Sequence, residues 1–334
     1  MAATQAARVP LPSFAMPVGS LPRIGYGTGT FWGHYRTGVS EDEINPALVD
    51  AIRHAIRAGV RHIDCAEMYG TELSVGEALQ QAFTAGDLHR EEVWVTSKVL
   101  NESKMTPEDL RSACARSIKR LGLSYLDLYL LHSPFGPGNV ELSAHEQQTI
   151  WLAMEDLHKS GLVRNIGCSN HRVSDLTAIL ATPCATVRPA VNQIEFNTLL
   201  LQVTESTLKY CAAQGIIVEA YSALSSLVYE GARDTGGPLN SVVESVASAH
   251  CVSPGAVLLR WNLHKGTVVI STSTKPSRVQ EALSVFDFKL TVDEIHDIDT
   301  AARDQKIHKQ FWKESLSEMV ASTTEEARRC VAGL

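Results

Sequence analysis

The chain has seven cysteines, Cys65, Cys114, Cys168, Cys184, Cys211, Cys251 and Cys330, and no Cys-x-x-Cys pair among them. That excludes the common zinc and redox-dithiol frameworks, and an odd, scattered set is the pattern of reduced thiols. A reducing compartment, the cytoplasm, is therefore expected. There is no excess of positive charge: 30 Lys and Arg against 37 Asp and Glu leave a net −7. No nucleic-acid partner is expected, because phosphate binding requires a basic surface. No apolar run reaches the length that spans a bilayer, so no membrane partner is expected either. The first twenty residues lack a sustained apolar stretch, which argues against a signal peptide. They also lack acids, the first being Glu41, which leaves a transit peptide open. No Pro/Gly/Ser linker is long enough to split the chain. Residues 1–334 read as one domain, with a flexible stretch over residues 1–20.

What is present is a globular composition, 44% hydrophobic and 20% charged, in which short apolar strands alternate with amphipathic helices. Ser40-Glu41-Asp42-Glu43 reads as a capping box, followed by Ile44, Leu48, Ile52 and Ile56 on one helix face. Gly59 ends that helix, and a strand over 60–64 follows. Strand 93–98 leads to a helix started by Thr106 and Pro107 and closed by Gly122. Further strands are expected over 126–131, 163–168, 190–194, 216–220 and 267–270. With an early strand near Ile24 the count is about eight βα units, so the fold class is an α/β (β/α)8 TIM barrel. A loop is expected over residues 233–237. Thr291-Val292-Asp293-Glu294 caps an extra C-terminal helix, and a tail after Ala302 covers one end.

Barrel enzymes keep their chemistry at the C-terminal ends of strands. Here Asp64, Lys98 and His132 close successive strands, spaced by 34 residues and by 34 again. One βα unit returns the chain to the same rim, so the three side chains converge, with Tyr69 on the loop above them. Read singly, each is a cap, a surface cation or a loop residue; their convergence favours function. A free tyrosine has a pKa of about 10, and an ammonium beside it favours the phenolate, so Lys98 is expected to lower Tyr69. Asp64 holds Lys98 charged, and His132 donates to a carbonyl oxygen. Such a site polarises a carbonyl, has no nucleophile and no metal, and needs an outside reductant.

These segments resemble the aldo-keto reductase family. Asp64-Cys65-Ala66-Glu67-Met68-Tyr69-Gly70-Thr71-Glu72 is similar to its Asp-Thr-Ala-x-x-Tyr-Gly-x-Glu segment. Val95-Thr96-Ser97-Lys98 and Leu130-Leu131-His132-Ser133-Pro134 resemble its lysine and histidine segments. Ile166-Gly167-Cys168-Ser169-Asn170, Val191-Asn192-Gln193-Ile194-Glu195-Phe196 and Glu219-Ala220-Tyr221-Ser222-Ala223-Leu224 follow in family order. The resemblance implies an NADPH-dependent oxidoreductase that reduces an aldehyde, ketone or α-keto compound, with Asp64, Tyr69, Lys98 and His132 catalytic and Tyr69 the general acid. It implies that Ser169, Asn170 and Gln193 bind the nicotinamide amide and that Tyr221 stacks on its ring. Thr28, Ser222 and Leu224 are further cofactor contacts. Ser273, Lys275 and Arg278 meet the 2′-phosphate, and Glu281 meets the adenine.

Thr272-Ser273 stands where the family often has Lys-Ser, and Ala282 where Asn is common. Gly25-Tyr26-Gly27-Thr28-Gly29-Thr30 lacks the third glycine of a dinucleotide fingerprint and instead resembles the family's first barrel strand. Phe31 and Trp32 after it are expected to line the substrate pocket, and Trp94 to be core. The tail segment His308-Lys309-Gln310-Phe311-Trp312 either covers the pocket or packs on the barrel. A second-level resemblance points to a fungal branch that reduces α-keto lactones, α-keto amides and conjugated polyketones. The expected partner is a small carbonyl substrate, and the expected state a monomer or weak homodimer. Two other readings stay open: a low-turnover NADP(H)-binding regulatory or redox-sensing barrel, and a metal-dependent barrel hydrolase.

Overall fold

Eight parallel strands close into a barrel in the computed structural model, which describes residues 12–99, 106–228 and 238–315. They are β3 (Ile24–Gly27), β4 (His62–Asp64), β5 (Trp94–Val99), β6 (Leu128–Leu131), β7 (Ile166–Ser169), β8 (Val191–Glu195), β9 (Ile217–Tyr221) and β10 (Val268–Ser271), with β10 pairing β3 to close the ring. Strands buried on both faces read as apolar runs, and Leu128–Leu131 is buried at every position.

Local chemistry starts and stops the surrounding helices. The Thr106 hydroxyl accepts from the Asp109 N–H, Asp109 reaches back to Thr106, and Pro107 occupies the first turn of Pro107–Leu121, which ends at Gly122. Thr291 and Glu294 cap Val292–Arg303 in the same way. One helix start differs from the sequence reading. Ser40 forms only a turn, and the helix runs Pro46–Ala58 with Asn45 accepting from Ala47 and Leu48. Proline at the first helical position lacks the N–H that would be unsatisfied there, which places the start at 46 and leaves Ile44 exposed. Leu48, Ile52 and Ile56 are buried as their spacing demands.

The N-terminal expectation is also corrected. Residues 1–11 lie outside the described residues, but β1 (Ser13–Ala15) and β2 (Ser20–Pro22) form an antiparallel hairpin, not a flexible stretch. Its Leu21 is fully buried with Trp94, Leu128, Leu130, Val191, Val268 and Ile270, an apolar cluster with the hairpin packed on it. Burying Leu21 offsets the entropy of ordering this hairpin by roughly 1.5–3 kcal/mol. Trp94 is core, as expected. The loop expected over residues 233–237 lies outside the described residues. Among the described residues no single helix is long and apolar enough to cross a membrane.

Register delivers the polar strand ends to one place. Asp64 pairs with Thr96, two residues before Lys98, and Lys98 pairs with Leu130, two residues before His132. Side chains alternate faces with a period of two. A step of two residues per strand therefore keeps all three on the same face while the barrel's stagger carries them along the rim.

Candidate active site

Lys98 is completely buried, and each of its three N–H donors has a partner. Nζ donates to Asp64 Oδ1 at 2.7 Å, to the Cys65 carbonyl at 3.0 Å and to the Tyr69 hydroxyl at 3.3 Å. Burial alone acts to lower the lysine, but Asp64 and then Tyr69 outweigh it and hold the ammonium above its ordinary range. Since Tyr69 accepts from Lys98, its own proton is free to go to a substrate. Gly29 leaves room for the ring, since a Cβ there would stand 3.0 Å from Tyr69. His132 lies edge-on to Tyr69, ring centroids 5.5 Å apart. Burial, with Lys98 second, pushes its imidazole well below the usual range, so it is neutral and offers one N–H.

Tyr69 departs from the sequence expectation. Lys98 does pull it down, but burial is the larger effect and the Asp64 charge adds to it, so the phenol is pushed up to about 12. It is fully protonated near neutral pH: a loaded acid, whose conjugate base forms beside an ammonium.

The other expected residues fall into three groups. Ser169, Asn170, Gln193 and Tyr221 form one hydrogen-bonded set, at the ends of β7 and β9 and midway along β8. The Ser169 hydroxyl donates to the Gln193 carbonyl at 2.9 Å, Asn170 Nδ2 donates to the His132 carbonyl at 2.9 Å, and the Tyr221 hydroxyl donates to Asn170 Oδ1 at 2.7 Å. Ser222 turns the chain with a positive φ, and Leu224 packs against the core. Thr28 is buried, its hydroxyl shared between the Asp64 carbonyl and Thr71 and its N–H also given to Asp64, so only its carbonyl remains for a ligand.

The second group follows β10. Ser273 accepts from the Lys275 N–H at the start of the helix Pro276–Ser284. Lys275 and Arg278 are exposed, without an ion pair among the described residues, and Glu281 is half-buried one turn on. Two uncommitted cations at a helix N-terminus suit a phosphate. In the third group the two aromatic residues part. Phe31 is 45% exposed, whereas Trp32 is buried and donates to Thr272 at 3.2 Å, which ties it to the segment before Lys275.

The sequence left the tail segment 308–312 either over the pocket or against the barrel, and the structure brings it to the site. The tail covers it: Phe311 lies edge-on to Tyr221, and Trp312 stacks on Phe135 at 6.4 Å and tilts over His132 at 5.9 Å. Glu195 fixes this arrangement by accepting the N–H groups of Gln310 and Phe311 at 3.0–3.1 Å, with Lys309 beside it. Phe135 was not among the residues expected from the sequence, although it lies only three residues past the strand-end His132.

His62, Asp64 and Glu219 present ligand atoms within 4.8 Å of one another. Three of the four carboxylate oxygens here already accept N–H donors: Lys98 and Gln193 take the two Asp64 oxygens, and Gln193 takes one of Glu219.

A sequence model described as the Aldo/keto reductase family matches residues 23–303. The chain belongs to this family. Among its relatives, the NAD/NADP-dependent indole-3-acetaldehyde reductase of Schizosaccharomyces pombe is 38% identical over 84% of this chain and 91% of its own length. The NADPH-dependent alpha-keto amide reductase of Saccharomyces cerevisiae is 35% identical over 86% and 88%. A solved Bombyx mori aldo-keto reductase in complex with NADP superposes with a TM-score of 0.79 at 30% identity, covering 92% of this chain and 97% of that one. This aldo/keto reductase thus shares its barrel fold with the solved family member over nearly the whole of both chains.

Proposed function

We propose that this aldo/keto reductase reduces aldehydes and α-keto carbonyls to alcohols with NADPH, and that Tyr69 is the proton donor. The observation that carries the reading is the Lys98 ammonium with all three donors fixed, one of them on a phenol that keeps its proton near neutral pH. Ser169, Asn170, Gln193 and Tyr221 would hold the nicotinamide end of the cofactor. Ser273, Lys275 and Arg278 would hold its 2′-phosphate, and Glu281 its adenine. When bound, NADPH supplies the hydride.

The chain's own residues do the rest. The Tyr69 hydroxyl and the neutral His132 imidazole offer two donors to a carbonyl oxygen. Tyr69 gives its proton to that oxygen, and Lys98 stabilises the phenolate left behind. Trp312, over His132 and against Phe135, gives the site an aromatic wall that suits planar carbonyls such as aryl aldehydes and α-dicarbonyls, and the exposed Phe31 would add to it. We place the enzyme in the cytoplasm, on the strength of free cysteines without a disulfide among the described residues.

The test is NADPH oxidation, followed by absorbance, across a panel of aliphatic aldehydes, aryl aldehydes and α-keto amides, with and without a chelator. Turnover unaffected by chelator supports the reading. No oxidation above background on any substrate would point to a binding or sensing barrel instead.

Arg278→Ala separates the two cofactors. A charge-assisted hydrogen bond to a phosphate contributes about 1.5–3 kcal/mol, so NADPH is expected to bind about 10- to 100-fold more weakly. NADH, lacking that phosphate, should change by no more than about twofold. Dissociation constants from protein fluorescence quenching give both numbers. Equal losses would remove Arg278 from the phosphate site.

A further inference from the structure

Beneath the four residues of the proposed reaction, the barrel interior holds a second polar layer that the mechanism leaves unused. Glu219 on β9 is fully buried. Across the strand ladders its neighbours are Gln193 on β8 and Val268 on β10. Gln193 Nε2 donates one hydrogen to Glu219 Oε2 and the other to Asp64 Oδ2, both at 2.7 Å. Glu219 Oε1 has no hydrogen-bond partner among the described residues. The closest candidate is His62 Nε2 at 3.9 Å. That nitrogen is engaged by Thr96 at 3.2 Å, whose hydroxyl oxygen also accepts from the Trp94 indole. Gly25 makes room for this layer, since a Cβ there would stand 2.8 Å from the His62 ring.

The charges do not balance if every acid is ionised. One ammonium, Lys98, faces two carboxyl groups, and its three donors are spent on Asp64, Cys65 and Tyr69. The His62 imidazole is neutral, because burial outweighs Asp64 and pushes it down to about 4. The titratable groups facing Glu219 are thus His62 and Asp64 from β4 and Lys98 from β5, with Tyr221 two residues on along its own strand. A buried anion with one oxygen undonated and a second anion one amide away is costly, and a proton on that oxygen removes the cost.

We propose that Glu219 is a positioning residue that works as an uncharged acid, locking the Gln193 amide between two carboxyl groups and keeping the charge beside Asp64 at a single unit. With both amide hydrogens committed, Gln193 presents only its oxygen to a ligand. Ionised Glu219 would set a second negative charge against Asp64 and oppose the phenolate that Tyr69 must become, so reduction slows as Glu219 loses its proton. Burial and then the Asp64 charge push Glu219 up to about 8. Tyr69, near 12, and His132, far below its ordinary value, do not titrate in that region.

The inference rests on the proposed reductase reading for its kinetic half only. In wild type, kcat/KM for reduction is expected to hold level up to pH about 8 and then fall by up to about tenfold per pH unit. Glu219→Gln, which mimics the neutral acid, should stay within about twofold of its plateau up to about pH 9.5. A second readout needs no activity. Folded Glu219 keeps its proton up to about 8, while an unfolded glutamate loses it near 4.5. The folded state binds the extra proton in that window, so the stability of wild type falls as pH rises through it. The Tm of Glu219→Gln relative to wild type should therefore climb from pH about 5 to about 8.

An alkaline limb that persists unchanged in the variant, or a Tm difference flat with pH, overturns the proposal. If the protein shows no reductase turnover, the functional reading fails while the Tm difference still decides the charge of Glu219. Should the variant not fold, infrared spectra of wild type decide instead. A protonated-acid carbonyl band at neutral pH that is lost near pH 8 supports the proposal, and its absence overturns it.

Discussion

Replacing Tyr69 with phenylalanine is expected to lower kcat for carbonyl reduction by about 10²- to 10⁴-fold, the range a positioned general acid contributes. NADPH affinity should change by no more than about twofold, because most of the residues proposed to hold the cofactor lie on β7 to β9 and after β10, not at the Tyr69 hydroxyl. The physical reason for so large a loss is that only one of the two donors at the carbonyl oxygen can deliver a proton readily. His132 is a neutral imidazole held far below its ordinary pKa by burial. Its N–H can polarise the oxygen, but giving that proton away would create an imidazolate. The phenol, though pushed up to about 12 by burial and Asp64, leaves behind a phenolate 3.3 Å from an ammonium. Single-turnover measurements with saturating NADPH check the rate, and fluorescence titration checks binding. A variant that keeps more than about a tenth of the wild-type rate would assign the proton to another group.

Lys98→Met should damage the protein in two ways at once. The Lys98–Asp64 pair is buried, with side-chain exposures of 0% and 3%, and the two charges are 2.7 Å apart. Removing one partner leaves an uncompensated buried anion, which costs about 3–5 kcal/mol of stability. Asp64 would keep the Gln193 amide as a donor but lose its counter-ion. Turnover should fall at least as far as in Tyr69→Phe, because the phenolate would then form beside a naked carboxylate. The double variant Lys98→Met with Asp64→Asn separates the two effects. With the unpaired charge gone, most of the stability should return, whereas turnover should not. Denaturant midpoints and steady-state rates measure both. Stability that stays low in the double variant would mean that packing around the lysine stem, not charge, dominates.

Much of this is legible in the sequence itself. The equal spacing of Asp64, Lys98 and His132 reflects a repeating βα unit, and a repeat in chain length is a repeat in position around a barrel. The helix starts at Thr106-Pro107 and Thr291 were legible because a cap acts over three residues, a distance the sequence displays directly. Ser40 misled for the same local reason: it forms a turn but lies six residues upstream of the first helical residue, and the nearby Asn45-Pro46 pair wins.

What the chain alone determined, then, is the barrel, its rim and the chemical types gathered there, because each depends on short-range pattern or on a period that recurs. What the folded volume decided is everything set by groups far apart in sequence. Gln193 meets Asp64 across 129 residues, Gln310 meets Glu195 across 115, and Trp32 meets Thr272 across 240. No periodicity announces such pairs. The dielectric around a side chain is likewise a property of the enclosed space: Tyr69 rises where a neighbouring ammonium by itself would lower it, and Glu219 sits beside a second acid with no cation left to neutralise it.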